Sequence, residues 1–148
     1  MDTIHRKEIE MIKNMIVAYD GSKQSEKAFR YALDMAVKYG AKMTVVSVAS
    51  PGEPAVAVEL QEMLDNAREY FEGHYKCLRE LAQAQGIEMS CEVRVGHPAE
   101  QIVQAAEEKN VDVIVTGHRG DTLTQRWLVG SVAKRIIAYS HCSVFVVR

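Results

Sequence analysis

Residues 111–133 read VDVIVTGHRGDTLTQRWLVGSVA. Val111 to Thr116 is rich in β-branched residues and short, the pattern of a strand buried within a sheet. Gly117 and Gly120 follow with two residues between them, and glycines so placed let backbone approach a ligand with no Cβ in the way. A loop runs from Gly117 to Val129, and a helix opens near Gly130-Ser131, with Val132, Ile136 and Ile137 as its inward positions. Unpaired amide N–H groups and the positive end of the helix dipole make such a start an anion site, and the Ser131 hydroxyl adds a donor.

The same strand-then-helix alternation runs through the chain. Met15–Tyr19 (MIVAY) reads as a first strand, ending at Asp20-Gly21-Ser22. Ser22 or Ser25 caps the next helix, whose apolar face is Ala28, Phe29, Ala32, Leu33 and Ala36. Gly40 ends it, and Met43–Ala49 is a second strand. After the loop Ser50–Pro54, a long helix spans roughly 56–85 with a stripe of Val56, Leu60, Leu64, Ala67, Phe71, Leu78 and Leu81. Ile87–Val95 is the third strand, Pro98 opens a helix burying Ile102, Val103 and Ala106, and Ser143–Arg148 is the fifth strand. Apolar strands between helices predict a doubly wound, parallel α/β sheet with helices on both faces. Ligands of such sheets bind beyond the carboxyl ends of the strands, where strand order reverses.

The 148 residues fit one domain, and 47% hydrophobic content supplies a core. Eighteen Lys and Arg against 20 Asp and Glu argue against a polyanion such as nucleic acid but leave room for one small anion. No apolar run is long enough for a membrane span, and the charged start MDTIHRKEIEMIK has no signal-peptide core. Three scattered cysteines (Cys77, Cys91, Cys142) predict neither a disulfide scaffold nor a zinc site, and point to the cytoplasm.

Familiar nucleotide and hydrolase signatures are missing: no G-x-x-x-x-G-K-[ST], no G-x-G-x-x-G after the first strand, no G-x-S-x-G. What is present, Gly117-x-x-Gly120 followed after nine residues by Gly130-Ser131, resembles the ATP-binding motif of the universal stress proteins. The strand exit VAYDGS, the segment VGHPAEQIVQAAEEKNVDVIVTG and the terminal HCSVFVVR extend that resemblance over residues 14–148, leaving 1–13 as an N-terminal extension.

The resemblance implies strand order 3-2-1-4-5 and ATP as the ligand; tight binding of that nucleotide calls for a Mg²⁺ or Mn²⁺ bridging the phosphates, held chiefly by ATP oxygens and water. The resemblance puts Asp20 on the ribose or adenine, Ala18 and Tyr19 backbone along the adenine, and Val48 at the adenine edge. Thr116 and Gly117 fall beside the ribose; Gly120, Gly130, Ser131 and Val132 hold the phosphates, with Arg119 assisting. Tyr19 is bulkier than the small or branched residue common before the Asp, and is expected to narrow the adenine pocket. The resemblance also implies a homodimer through the last strand (143–148), whose VFVV carries no proline and only Arg148 as a charge to block edge pairing.

Plainer readings stand beside these. Asp20 in D-G-S suits a turn carboxylate, Gly117 and Gly120 a tight loop, and His118 an exposed loop histidine. His141 and Cys142 are neighbours that point apart, so Cys142 reads as a buried residue before a strand. His5, His74 and His97 lack metal-ligand spacing, and no metal site is expected from side chains. With no phosphate lysine or positioned base, no catalytic residue is assigned and hydrolysis is at most slow. The expected function is an ATP-binding, dimeric regulatory protein of the stress response; the alternatives are a slow ATP hydrolase, self-phosphorylation on Ser131, Thr122 or Thr124, or a nucleotide-free dimeric scaffold.

Overall fold

The computed structural model describes residues 9–51, 55–118 and 130–148. Strands β1 (Asn14–Ala18), β2 (Lys42–Ala49), β3 (Met89–Val95), β4 (Val113–Gly117) and β5 (Ser143–Val147) alternate with helices α1 (Lys23–Tyr39), α2 (Ala57–Ala84), α3 (Pro98–Lys109) and α4 (Ser131–Tyr139). The strands form one parallel sheet in the order β3-β2-β1-β4-β5. The doubly wound fold and the 3-2-1-4-5 order expected from the sequence are the ones found.

Side-chain alternation along the strands sorts the core into two layers. Met15, Val17 and Tyr19 of the first strand segment pack beneath α1 and α2, against Ala28, Phe29, Ala32 and Ala36 and against Phe71, Tyr75, Leu78 and Ala82. Ile16, Val46 and Ile114 face the other way, against Ala99, Ile102, Ala105 and Ala106 of α3 and Ile136 of α4. Phe29 is almost wholly buried, which contributes about 2–3 kcal/mol. Because β1 lies between β2 and β4, the winding reverses there, and a crevice opens at the carboxyl ends of these strands.

Helix ends follow local chemistry. Ser22 is the N-cap of α1, its side chain accepting from the Ser25 amide, while Gly40 closes the helix in the left-handed region at φ 67°. Pro98 opens α3, and Asn110 closes it at φ 51°.

Two core stripes differ from expectation. In α2, Val56 and Leu81 are exposed, and the buried face is Phe71, Tyr75, Leu78 and Ala82. At about 1.5 Å per residue, the 28 residues of α2 outrun any strand of the sheet, so its fully buried positions fall in the second half, with Ala67 packed at the margin. In α4, Val132 and Ile137 are exposed, while Ala133 and Ile136 are buried. That nine-residue helix touches the sheet along one narrow stripe.

Candidate functional site

The ends of three adjacent strands build the crevice. Val17 stands beside Val115, so Ala18–Asp20 and Thr116–His118 leave the sheet as neighbours. Ala18 also pairs with Val46, which sets Val48 two residues further along the same edge. Ala18 and Val48 both pack, half-buried, against the α3–α4 layer. Thr116 falls on that face by alternation from Ile114, and is buried. Three expected site residues on three strands therefore share one face at one edge, as a small apolar floor.

Asp20 is exposed above this floor. Its Oδ1 accepts the Ser22 N–H at 2.9 Å, and its own N–H donates to Ser25 Oγ at 3.3 Å. The turn reading of D-G-S therefore holds for one oxygen; Oδ2 takes no hydrogen bond among the described residues. Gly21 has φ +85°, a conformation that favours glycine.

On the other side of the crevice, the Gly130 N–H donates to the His118 carbonyl at 2.8 Å, and the His118 N–H donates to the Val147 carbonyl at 2.7 Å. These bonds hold the start of α4 against the exit of β4. Gly130 is the N-cap, with no side-chain cap hydrogen bond, and no acidic residue lies in the first turn. The three longer helices each carry a glutamate there: Glu26, Glu59 and Glu100. Among the described residues, no side chain caps this helix start or offsets the positive end of its dipole. Ser131 and Val132 are exposed there.

Three expectations meet a different arrangement. His118 is not an exposed loop residue: it is 8% exposed, and its Nε2 is buried with no partner among the described residues. It is held inward because its backbone bonds extend the sheet by one residue. The Tyr19 ring does not narrow the crevice; it is buried in the α1–α2 layer, and only its backbone reaches the edge. Burial, followed by the charges of Glu26 and Asp20, pushes its phenol up to about 12. Gly117 has a packing reason of its own, since a Cβ there would stand 3.3 Å from the backbone of Gln24 in α1.

Arg119 and Gly120 lie outside the described residues, as do Thr122 and Thr124. Among the described residues no three His, Cys, Asp or Glu side chains come together as a metal site, and no helix is long and apolar enough to cross a membrane.

Tyr70 and His74 of α2 were not singled out as site residues in the sequence. Both come within 4 Å of the space above Gly21. Their spacing reads as ordinary helix surface, and only the length of α2 carries them to the carboxyl edge.

Comparison with known proteins agrees with this fold. The family model described as "Universal stress protein family" matches residues 11–148. A universal stress protein of Methanocaldococcus jannaschii is 32% identical, over all of this chain and 89% of its own length. The universal stress protein UspA of Lactobacillus plantarum has the same fold, with TM-score 0.82 and 23% identity over 92% of this chain and 97% of that one. A universal stress protein solved in complex with cAMP superposes with TM-score 0.72 and 24% identity, over 93% of this chain and 98% of that one. The sheet order, the reversal at β1 and the match along nearly the whole length lead to one assignment: the chain belongs to the universal stress protein family.

Proposed function

We propose that this protein binds an adenine nucleotide, ATP, at the carboxyl edge of β2, β1 and β4, and that occupancy sets its conformation or its partner interactions. The observation that carries the reading is the Gly130–His118 hydrogen bond, which keeps an uncapped helix start beside the strand exits that bear Asp20 and Thr116. The adenine rests on Ala18 and Val48, with the backbone of Tyr19 alongside. Asp20 Oδ2 accepts from a ribose hydroxyl, and Thr116 and Gly117 flank the sugar. The phosphates take the amides of Gly130, Ser131 and Val132 and the Ser131 hydroxyl, with Arg119 and Gly120 joining from the loop. A relative with the same fold was solved with cAMP, a ligand sharing the adenine, ribose and phosphate groups.

A divalent cation, Mg²⁺ or Mn²⁺, fits this set when held by the phosphate oxygens and water, because Asp20 is the one carboxylate placed at the site among the described residues. Its chemistry there is charge neutralisation of the triphosphate. The chain's own residues bind and orient: amides for charge, a carboxylate for the sugar, small apolar side chains for the base.

The protein acts as a dimer through β5 in this reading. Among the described residues β5 pairs on one side only, with β4. The opposite edge strand, β3, carries Glu92 and Arg94 in ion pairs with Glu108 and Lys109 of α3, which discourage pairing there. Residues 14–148 act as one nucleotide-binding domain with 1–13 as an extension. Three free cysteines fit the cytoplasm.

The test is to denature the purified protein and identify released ligand by mass spectrometry, alongside calorimetric titration with Mg-ATP. Released adenine nucleotide or a saturable heat supports the reading; neither, on protein stripped of ligand and shown to be folded, overturns it. Phosphate release over many turnovers would replace it with the hydrolase alternative.

A further inference from the structure

The turn that bears Asp20 is gripped from two sides. From α1, Ser25 Oγ accepts the Asp20 N–H, and the Ser22 N–H closes on Asp20 Oδ1. From α2, a Cβ placed on Gly21 would stand 3.6 Å from His74 Cε1 and Nε2 and 3.7 Å from Tyr70 Oη, so these two side chains roof the turn. His74 is anchored in turn: its Nδ1 is hydrogen-bonded to the Tyr19 hydroxyl at 3.3 Å, and the two rings meet edge-on with centroids 6.0 Å apart. Tyr19 immediately precedes Asp20 and is 3% exposed, wedged also against Tyr75. The Tyr70 and Phe71 rings flank His74 at 5.3 and 6.4 Å.

We propose that His74 and Tyr19 are positioning residues for the nucleotide: their hydrogen bond fixes α2 over the Asp20–Gly21–Ser22 turn and thereby holds the Asp20 carboxylate where the ribose needs it. The inference rests on the nucleotide reading above and adds α2 to it. The Tyr19 hydroxyl lies on the far face of the sheet from Ala18, so it contributes by holding the backbone beside it.

Four variants test this, each measured by Mg-ATP calorimetry, by thermal unfolding without nucleotide, and by hydrogen exchange at the Ser22 amide. Tyr19→Phe removes only the hydroxyl, and His74→Ala removes the roof. Each is expected to weaken Mg-ATP binding about three- to tenfold, with the unfolding midpoint moving by less than about 3 °C. Ser22 exchange should quicken in both, and the double variant should be no weaker than the worse single one. His74→Asn, whose amide stands near the Nδ1 position, should recover most of the affinity. Wild-type affinity in both single variants, with wild type itself binding, overturns the clamp while sparing the nucleotide reading. If wild type binds no nucleotide, that reading fails and this role with it; unchanged Ser22 exchange would separately sink the structural half.

Discussion

Gly130 and His118 are joined by a 2.8 Å hydrogen bond from the amide of the first to the carbonyl of the second, across a chain separation of twelve residues. The bond makes the start of α4 part of the sheet's carboxyl edge, and it does so through backbone alone. At φ −62° and ψ 158°, Gly130 is in a region open to any residue. The conformation therefore does not call for glycine, and the proposed phosphate site supplies a reason for one: close approach of a ligand. Gly130→Val should fold with an unfolding midpoint within a few degrees of wild type and lose the stabilisation that saturating Mg-ATP confers, which is about 2.7 kcal/mol at a hundredfold excess over Kd. A thermal shift retained in the variant would show that the phosphates are held elsewhere.

Asp20 has two separable tasks. One oxygen closes the turn on the Ser22 amide, and the other, without a partner among the described residues, is the one the proposed site offers to the sugar. Asp20→Asn keeps an acceptor for the turn and removes the charge, so it should leave stability near wild type while weakening nucleotide binding about tenfold or more, the scale of a hydrogen bond to a charged group. Asp20→Ala loses the turn as well, and should also unfold several degrees lower. Calorimetry and thermal unfolding separate the two tasks. Equal affinity in Asp20→Asn and wild type would return Asp20 to a purely structural role.

The layered fold was legible because strand alternation and helix spacing are local: Ile16, Val46 and Ile114 face one layer and Met15, Val17 and Val45 the other wherever the chain goes. The family resemblance named Ala18, Val48, Thr116 and Asp20, and the strand pairing brings them to one edge of the sheet. What spacing hides is orientation past the end of a strand. His118 reads as loop, yet two backbone bonds carry it inward. Tyr19 reads as pocket wall, yet period two sends its ring beneath α2. The roof made by Tyr70 and His74 depends on where a 28-residue helix crosses the sheet, a long-range fact with no local signal.

Thiol chemistry should separate the cysteines. Cys77 is exposed on α2, whereas burial pushes the Cys91 thiol on β3 up to about 11. Roughly one Cys91 in a thousand is then thiolate at pH 8, and the thiolate is the reactive form. Timed alkylation of native protein followed by peptide mass spectrometry should find Cys77 modified well before Cys91. Matching rates would mean that β3 opens readily from the sheet edge.

Acid should act on the β3–α3 contact. The hydrogen bond from Arg94 holds the Glu108 carboxyl below the usual carboxylate range. A depressed folded pKa gives stability that is present above the unfolded value and lost as pH falls through the folded one. Glu108→Gln should therefore unfold slightly earlier than wild type near neutrality, with the gap closing below about pH 4. Melting curves from pH 7 to pH 3 follow it, and a gap that persists at the acid end would assign the effect to packing.

The exposed side of β5 offers the sharpest test of assembly. Phe145 is 40% exposed and its ring lies tilted against Tyr31 of α1 with centroids 6.1 Å apart, so an apolar patch adjoins a strand edge with backbone groups unpaired among the described residues. An edge left so open is a template for a second copy of itself. Phe145→Lys puts a charge into that pairing without entering the buried core, since neither Phe145 nor Tyr31 is buried. Light scattering at micromolar concentration should give a dimer for wild type and a monomer for the variant, with similar far-UV circular dichroism. A wild-type monomer would remove β5 as the interface. A variant that stays dimeric would move the interface to another face of the fold.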